Sequence, residues 1–206
     1  MPHRLDINIE PAQTTLVPKK IFNPRLEQVF AELNFGFDSK SQVVLSEKCN
    51  DIVFLSVVDK NLYDRAISMF PSKEFFSTYR LLLQGFRKQA RTDKRSKHQI
   101  FANIAPNSFD LFVFEKKQRL IFANTFAYQT PNDFLYFLLH VVNRLKIDTG
   151  GLIFKISGLS AHSEKLIRVL EPYFLSVVEL SGSNNPLNLR MPIQPGLSLI
   201  NPALCE

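Results

Sequence analysis

The fold is decided by residues 99–126, which have the sequence QIFANIAPNSFDLFVFEKKQRLIFANTF. This stretch contains three apolar segments, joined by two short polar connections at residues 106–108 and 116–118. Short polar connections between apolar segments of this length are typical of antiparallel strands. The stretch therefore predicts a three-stranded antiparallel meander, with strands at residues 99–105, 110–115 and 119–126.

Helices and strands alternate after the meander. Thr130 predicts a helix N-cap and Asp133 its capping-box acid, and apolar residues follow at helical spacing. The apolar run at residues 152–156 predicts a strand that is covered on both faces. Ser160 then predicts the cap of a second helix, and a last strand follows at residues 174–180. The predicted order of this half is βββαβαβ.

The amino-terminal part of the chain shows a weaker version of this order. Strands are predicted at residues 5–9, 14–17 and 51–58, and a helix is predicted at residues 59–70. Another helix is predicted after Asn23, and its apolar face carries Leu26, Val29, Phe30 and Leu33. A third helix, capped by Ser72, carries Phe75, Phe76, Tyr79, Leu82, Leu83 and Phe86. This half is one strand short of the other. The predicted domains are residues 1–96 and residues 97–206, the second ending in an extended Pro-rich tail after Ser181.

Composition excludes several classes of protein. A chain of 206 residues with 45% hydrophobic residues has enough apolar material for one large core or two small ones. No apolar run approaches the roughly 20 residues that a membrane-spanning helix needs, and residues 1–10 do not resemble a secretion signal. We therefore expect no membrane insertion and a cytoplasmic protein. Cys49 and Cys205 have no partner at ligand spacing, which disfavours a disulfide or a zinc site.

The run LIFANTFAY at residues 120–128 and the residues that follow it resemble a bacterial family of unknown function with an actin-like ATPase fold. The other residues that carry the resemblance are Thr130, Asp133, Phe134, Leu135, Tyr136, Leu204, Cys205 and Glu206. The resemblance implies an α/β protein of two ribonuclease H-like halves, of βββαβαβ type, in an actin-like ATPase arrangement with mixed sheets flanked by helices. It implies no activity, because the family is uncharacterised.

Active ATPases of this superfamily place glycines in the hairpin turn under the nucleotide phosphates. The matching turn here, residues 103–110, lacks glycine, and Pro106 has no amide to donate. The magnesium-binding loop keeps Asp6 without a glycine, and the adenosine-binding turn keeps only Gly158. We therefore expect no cofactor, with ATP and magnesium only under an alternative. The residues assigned to this degenerate cleft are Asp6, Asn8, Asn103, Asn107, Ser108, Asp110, Ser157 and Gly158.

A basic segment is the strongest feature outside the core. Its candidate anion-binding residues are Arg87, Lys88, Arg91, Lys94, Arg95 and Lys97. They could contact the phosphates of a nucleic acid or an acidic protein surface. However, no aromatic residue lies among them to stack on single-stranded bases, and cations at a helix end also favour the helix dipole. Nucleic-acid binding stays as a second alternative.

Two other kinds of site have weaker support. Asp110, Asp133 and Asp148 are the acids that a two-metal nuclease would use, but Asp133 suits a helix cap and Asp148 a helix-ending turn. Ser160 and His162 are close in sequence, as a hydrolase would need, but Ser160 also suits a helix cap. Local structural roles are therefore favoured over catalysis for these residues.

The sequence favours a noncatalytic interaction or scaffold protein, in which an actin-like fold has lost its nucleotide chemistry. The expected partner is another protein. The alternative is a protein that binds ATP and magnesium or hydrolyses ATP weakly, through main-chain groups near Asn107, Ser108 and Gly158 with Asp6 or Asp110 near the metal. The absent glycines argue against this alternative.

Overall fold

The computed structural model describes residues 6–9, 13–71, 75–92, 97–158, 163–180 and 198–200. The strands and helices are β1 (Asp6–Ile9), β2 (Gln13–Pro18), α1 (Glu27–Phe35), β3 (Gln42–Cys49), β4 (Ile52–Asp59), α2 (Lys60–Met69), β5 (Phe75–Ser77), α3 (Thr78–Thr92), β6 (His98–Ile104), β7 (Ser108–Glu115), β8 (Arg119–Ala127), α4 (Pro131–Arg144), β9 (Ile153–Gly158), α5 (Ser163–Leu170), β10 (Ser176–Glu179) and β11 (Ser198–Ile200). Contacts divide the chain into two compact units, Met1–Leu81 with Leu189–Glu206, and Leu82–Asn188.

The second unit has a five-stranded mixed sheet with the strand order β10-β9-β6-β7-β8. β6, β7 and β8 form the predicted antiparallel meander. β9 runs parallel to β6, and β10 runs parallel to β9. Parallel neighbours need long crossover connections, which α4 and α5 provide. The βββαβαβ order predicted for this half is therefore confirmed.

Both faces of this sheet are covered by helices. On one face Phe134 of α4 packs against Phe109, with ring centroids 4.3 Å apart. On the other face Phe86 of α3 stacks on Phe101 at 5.0 Å and contacts Phe112 edge-on at 5.3 Å. Successive residues of a strand point to opposite faces, so a strand covered on both sides must be apolar throughout. This explains why β6 and β9 are largely apolar.

The first unit contains two three-stranded sheets, with orders β2-β4-β3 and β11-β1-β5. The first of these is antiparallel throughout. In the second, β1 pairs parallel with β5 and antiparallel with β11. Here α1 lies between β2 and β3, so the strands do not follow one another directly as they do in the second unit.

Two predictions for the first unit were wrong. The strand predicted to be missing is β3, which pairs with β4 along its full length. Phe75 and Phe76, predicted to lie on a helix, belong to strand β5, and α3 begins only at Thr78. Pairing with β1 gives this short segment a partner that local spacing does not reveal. Ser72, the predicted cap, lies outside the described residues.

A buried carboxylate lies at the start of α3. Glu47 Oε1 accepts a hydrogen bond from Ser77 N at 2.7 Å, and Glu47 Oε2 lies 3.4 Å from Arg80 Nη1. The Arg80 guanidinium also lies over the Phe76 ring, 4.7 Å from its centroid. Burial raises the pKa of the Glu47 carboxyl, and these hydrogen bonds oppose that effect. Glu47 therefore binds the amide of Ser77, immediately before α3, and the Arg80 side chain, at a cost in desolvation.

The apolar face predicted for α1 does not face the core. Asn23 caps the turn before the helix as predicted, since its Oδ1 accepts from Arg25 N at 3.0 Å. However, Leu26 and Val29 are each 45% exposed and Leu33 is 79% exposed, whereas Ala31 is buried. α1 is apolar on more than one side, so its periodicity does not indicate which side packs on β3 and β4.

The contact boundary between the units falls within α3, between Leu81 and Leu82, and not after residue 96. The later part of α3 belongs to the second unit because Phe86 packs on that unit's sheet. In the tail, predicted to be extended, Ser198–Ile200 is strand β11 and pairs with β1. Among the described residues, no helix is both long and apolar enough to cross a membrane.

Candidate functional site

The turn between β6 and β7 uses its main-chain groups for its own structure. Ala105 N donates to Ser108 O at 2.8 Å, and Pro106 has no N–H. Asn107 O accepts from Tyr128 N at 3.0 Å. None of the turn residues has positive φ, the conformation for which glycine is suited. Two of the four residues in this turn therefore cannot present an amide to a phosphate.

A row of polar side chains crosses four adjacent strands beside this turn. Ser157, Asn103, Asp110 and Thr125 are direct cross-strand partners on β9, β6, β7 and β8. Ser157 Oγ lies 3.3 Å from Asn103 Oδ1, and Asn103 Nδ2 donates to Asp110 Oδ2 at 3.3 Å. Thr125 Oγ1 donates to Asp110 Oδ1 at 2.7 Å. We call these four residues the polar row.

The polar row pairs its own donors and acceptors. Both carboxylate oxygens of Asp110 already accept hydrogen bonds from neighbouring side chains. A ligand that used Asp110 or Asn103 would have to displace those bonds, and each displaced partner would lose its contact. Thr125 is the member of the row that the sequence did not indicate.

Tyr128 fixes the position of the turn. Its hydroxyl donates to Ala105 O at 2.9 Å, and its ring packs against Phe109 and Phe134. Burial raises the pKa of the Tyr128 hydroxyl, so this group stays protonated and remains a donor. The turn is therefore held to the residue that directly follows β8.

Gly158 has a structural reason to be glycine. Its φ is +114°, and a Cβ at this position would lie 2.1 Å from Ile104 O and 2.7 Å from Ile104 N. Gly158 and Ile104 are partners in the parallel pair of β9 and β6. The close approach of these two backbones is thus sufficient to require glycine, with no nucleotide present.

The described residues do not fit a magnesium nucleotide well. Two of the four amides in the turn that would hold the phosphates are used or missing, and Asp110 is paired within the polar row. Asp6 and Asn8 lie in β1 of the first unit. Among the described residues, no three His, Cys, Asp or Glu side chains lie close enough together to hold a metal ion.

Two of the acids of the nuclease interpretation, Asp133 and Asp148, have the structural roles that the sequence predicted. Asp133 Oδ2 accepts from Thr130 N at 2.8 Å, and Thr130 Oγ1 accepts from Asp133 N at 3.2 Å, which completes the capping box of α4. These hydrogen bonds from Thr130 and from Gln129 N lower the pKa of Asp133. Asp148 Oδ1 accepts from Gly150 N at 3.0 Å. Ser160 and His162 lie outside the described residues.

The basic segment is partly described. Arg87, Lys88 and Arg91 lie on α3, and Lys97 immediately precedes β6. Lys94 and Arg95 lie outside the described residues. Arg91 Nε donates to Gln118 Oε1 at 3.0 Å, in the turn between β7 and β8. This contact places the end of α3 beside Lys116 and Arg119, which the sequence did not connect with the basic segment.

Solved structures resemble this chain in fold. A protein of unknown function from Bacteroides thetaiotaomicron VPI-5482, described as having an actin-like ATPase fold, matches with a TM-score of 0.78 and 22% identity over 85% of this chain and 68% of that one. The chain therefore has the actin-like ATPase fold. A PilM-PilN type IV pilus biogenesis complex matches with a TM-score of 0.49 and 9% identity over 82% of this chain and 65% of that one, which is too distant to support an inference.

No curated protein matches the chain in sequence. A family model described as "Protein of unknown function (DUF3822)" matches residues 3–177. This match covers most of the 206 residues. The family resemblance expected from residues 120–136 is confirmed, and the chain belongs to the DUF3822 family of proteins of unknown function.

Proposed function

We propose that this chain is a noncatalytic protein-interaction module, in which the actin-like fold serves as a cytoplasmic scaffold or adaptor. One observation carries the proposal. Where an actin-like ATPase would bind phosphate, the polar row pairs its own side chains, and two of the four amides of the β6–β7 turn are used or missing. Ligand-binding groups that are poised for a substrate usually leave donors and acceptors available, and this arrangement leaves few.

An exposed apolar surface on the first unit supports the interaction role. Leu33 of α1 is 79% exposed and Ile21 is 64% exposed, and Leu26 and Val29 are exposed nearby in sequence. Leu26, Val29 and Leu33 repeat at helical spacing, so they share one side of the helix. Contiguous apolar surface of this kind marks protein interaction sites in many proteins. The partner that suits it is a protein with an apolar surface of its own.

Calorimetric titration with ATP and magnesium tests the loss of nucleotide binding. We expect no saturable heat at millimolar nucleotide. Asn107→Asp adds a negative charge to the turn without disturbing its hydrogen bonds, which use only the main chain of Asn107. Asn61→Asp, on the exposed surface of α2, is the matched control. Saturable magnesium-dependent binding that Asn107→Asp abolishes and Asn61→Asp preserves would overturn the proposal in favour of the nucleotide alternative.

The interaction role is tested with a substitution on α1. A protein partner recovered with the chain is purified, and its affinity is measured for the wild type and for two variants. Leu33→Glu should weaken binding at least tenfold, because it places a charge on the apolar surface. Gln28→Glu, an exposed polar position on the same helix, should have little effect. Equal affinity for all three proteins would show that the partner binds elsewhere.

A further inference from the structure

The positive charge of this chain is concentrated in one part of the second unit. Nine of the 25 Lys and Arg residues and three of the 19 Asp and Glu residues lie between Arg87 and Arg119, which gives this stretch a net charge of +6. The whole chain also has a formal net charge of +6. The rest of the chain is therefore neutral overall, and its excess charge comes entirely from one stretch.

The fold gathers these cations at one end of the second sheet. The end of α3 is held over the start of β6 because Gln99 Nε2 donates to Ala90 O at 3.0 Å. It is held beside the β7–β8 turn by the 3.0 Å contact between Arg91 Nε and Gln118 Oε1. We call the exposed cations gathered here the basic end, which consists of Lys88, Arg91, Lys97, Lys116 and Arg119.

Little negative charge lies beside the cations in the described part of residues 87–119. Glu115 is paired with Arg119. Asp110, the other described acid of this stretch, lies near the opposite end of β7 and belongs to the polar row. The pKa of His98 is lowered by burial and by the positive charge of Lys97. His98 is therefore uncharged at neutral pH, and the charge of the basic end comes from lysine and arginine alone.

The basic end lacks the features of an apolar or stacking surface. Within the described part of the chain, none of the exposed large hydrophobic side chains lies between residues 87 and 119. Protein interfaces have an apolar core, and stable attachment to a membrane surface usually needs an inserted apolar group in addition to charge. Single-stranded nucleic acid is usually bound with aromatic stacking. A regular array of phosphates is the partner that charge alone can bind.

We infer that the basic end binds the phosphate backbone of duplex nucleic acid without reading its sequence. Lysine and arginine form charge-assisted hydrogen bonds with phosphate oxygens, and arginine does so with two donors at once. Each phosphate that is neutralised releases condensed counterions, so the affinity falls steeply with salt. This activity goes beyond the proposed interaction role and uses a different surface from α1, so either can fail without the other.

Fluorescence anisotropy with a labelled duplex DNA of mixed sequence tests the inference. If five phosphates are contacted, the slope of log K against log salt is about −4.5, which is a loss of about 500-fold between about 50 mM and 200 mM salt. The test variant is Lys88→Gln with Lys116→Gln, which removes two exposed cations of the basic end. The matched control is Lys19→Gln with Lys20→Gln, which removes two exposed cations of the first unit.

We expect the Lys88→Gln, Lys116→Gln variant to reduce the slope by about two and to weaken binding by at least tenfold at the lower salt concentration. The control should bind like the wild type. The inference is overturned if no saturable binding occurs, or if the control loses as much affinity, since only net charge would then matter. It is also overturned if vesicles containing phosphatidylserine bind more tightly than the duplex, which would identify a membrane surface as the partner.

Discussion

The two ends of the second unit's sheet use polar residues in opposite ways. At one end, Ser157, Asn103, Asp110 and Thr125 pair with one another across four strands. At the other end, cations from α3 and from the β7–β8 turn are exposed, and Glu115 is paired with one of them, Arg119. The first arrangement contributes to the fold and leaves few groups available to a ligand. The second leaves the side chains of Lys88, Lys97 and Lys116 exposed, so that their charges are available to a partner.

This difference indicates where binding is to be sought on the second unit, whose β6–β7 turn contains no glycine. The residues of the polar row have side chains suited to a ligand, yet their hydrogen bonds are made with one another. The residues of the basic end match no nucleotide-binding motif, yet they remain exposed. The two ends of the sheet therefore differ more clearly in whether their polar groups are already hydrogen-bonded to one another than in the residue types that they contain.

The largest expected effect comes from Gly158→Ala, at the paired end of the sheet. The new Cβ would lie 2.1 Å from Ile104 O, and a residue other than glycine is strained at a φ of +114°. We expect a loss of at least about 3 kcal/mol in the free energy of unfolding, measured with urea. Gly151→Ala is the control, because no atom lies within 4 Å of its added Cβ. Similar stability of both variants would contradict the close backbone approach.

Asp110→Ala should have the next largest effect. It leaves the Asn103 amide and the Thr125 hydroxyl without their acceptor. The partly buried Asn103 donor costs about 1 kcal/mol when it loses its partner, whereas the exposed Thr125 hydroxyl can bind water instead. We expect urea denaturation to show a loss of about 1 kcal/mol. Asp51→Ala, at an exposed turn position, should change stability by less than about 0.5 kcal/mol. If both variants unfold alike, the polar row does not stabilise the sheet.

Glu47 is a buried carboxylate whose hydrogen bonds do not fully offset the cost of its burial. Burial raises its pKa in the folded state above the unfolded value, so the folded protein binds the proton more tightly. Stability therefore falls as pH rises from the unfolded pKa through the folded one. Glu47→Gln should remove this fall. Urea denaturation at several pH values from 4 to 8 measures it, and identical pH profiles for wild type and variant would contradict the prediction.

The order of the second unit could be predicted because each local signal agrees with its tertiary partner. Thr130 and Asp133 form the capping box that their spacing indicates, and the apolar strands are covered on both faces. In the first unit β3 was missed because Glu47 stands where an apolar residue would continue the alternation. Its carboxylate binds Ser77 N on a distant segment, a contact that no local pattern reveals.

The polar row could be predicted only in part, because strand register decides its last member. Counting back from the β7–β8 turn, where Glu115 pairs with Arg119, would place Asn124 opposite Asp110. A bulge between Val113 and Phe114 shifts the pairing by one residue and brings Thr125 there instead. A shift of one residue reverses the face on which a side chain lies. The contact between Arg91 and Gln118 could not be predicted either, because it depends on how α3 packs beside the β7–β8 turn.

The smallest expected change in stability belongs to the basic end. Lys88 and Lys116 are exposed, so replacing both with glutamine should alter the free energy of unfolding by less than about 0.5 kcal/mol. Removing two like charges from a crowded surface also relieves repulsion, so a slight gain in stability is within expectation. Urea denaturation alongside Asp110→Ala makes the comparison direct. A loss of more than about 1 kcal/mol in the free energy of unfolding would mean that these cations stabilise the fold. The contrast between the two ends of the sheet would then not hold.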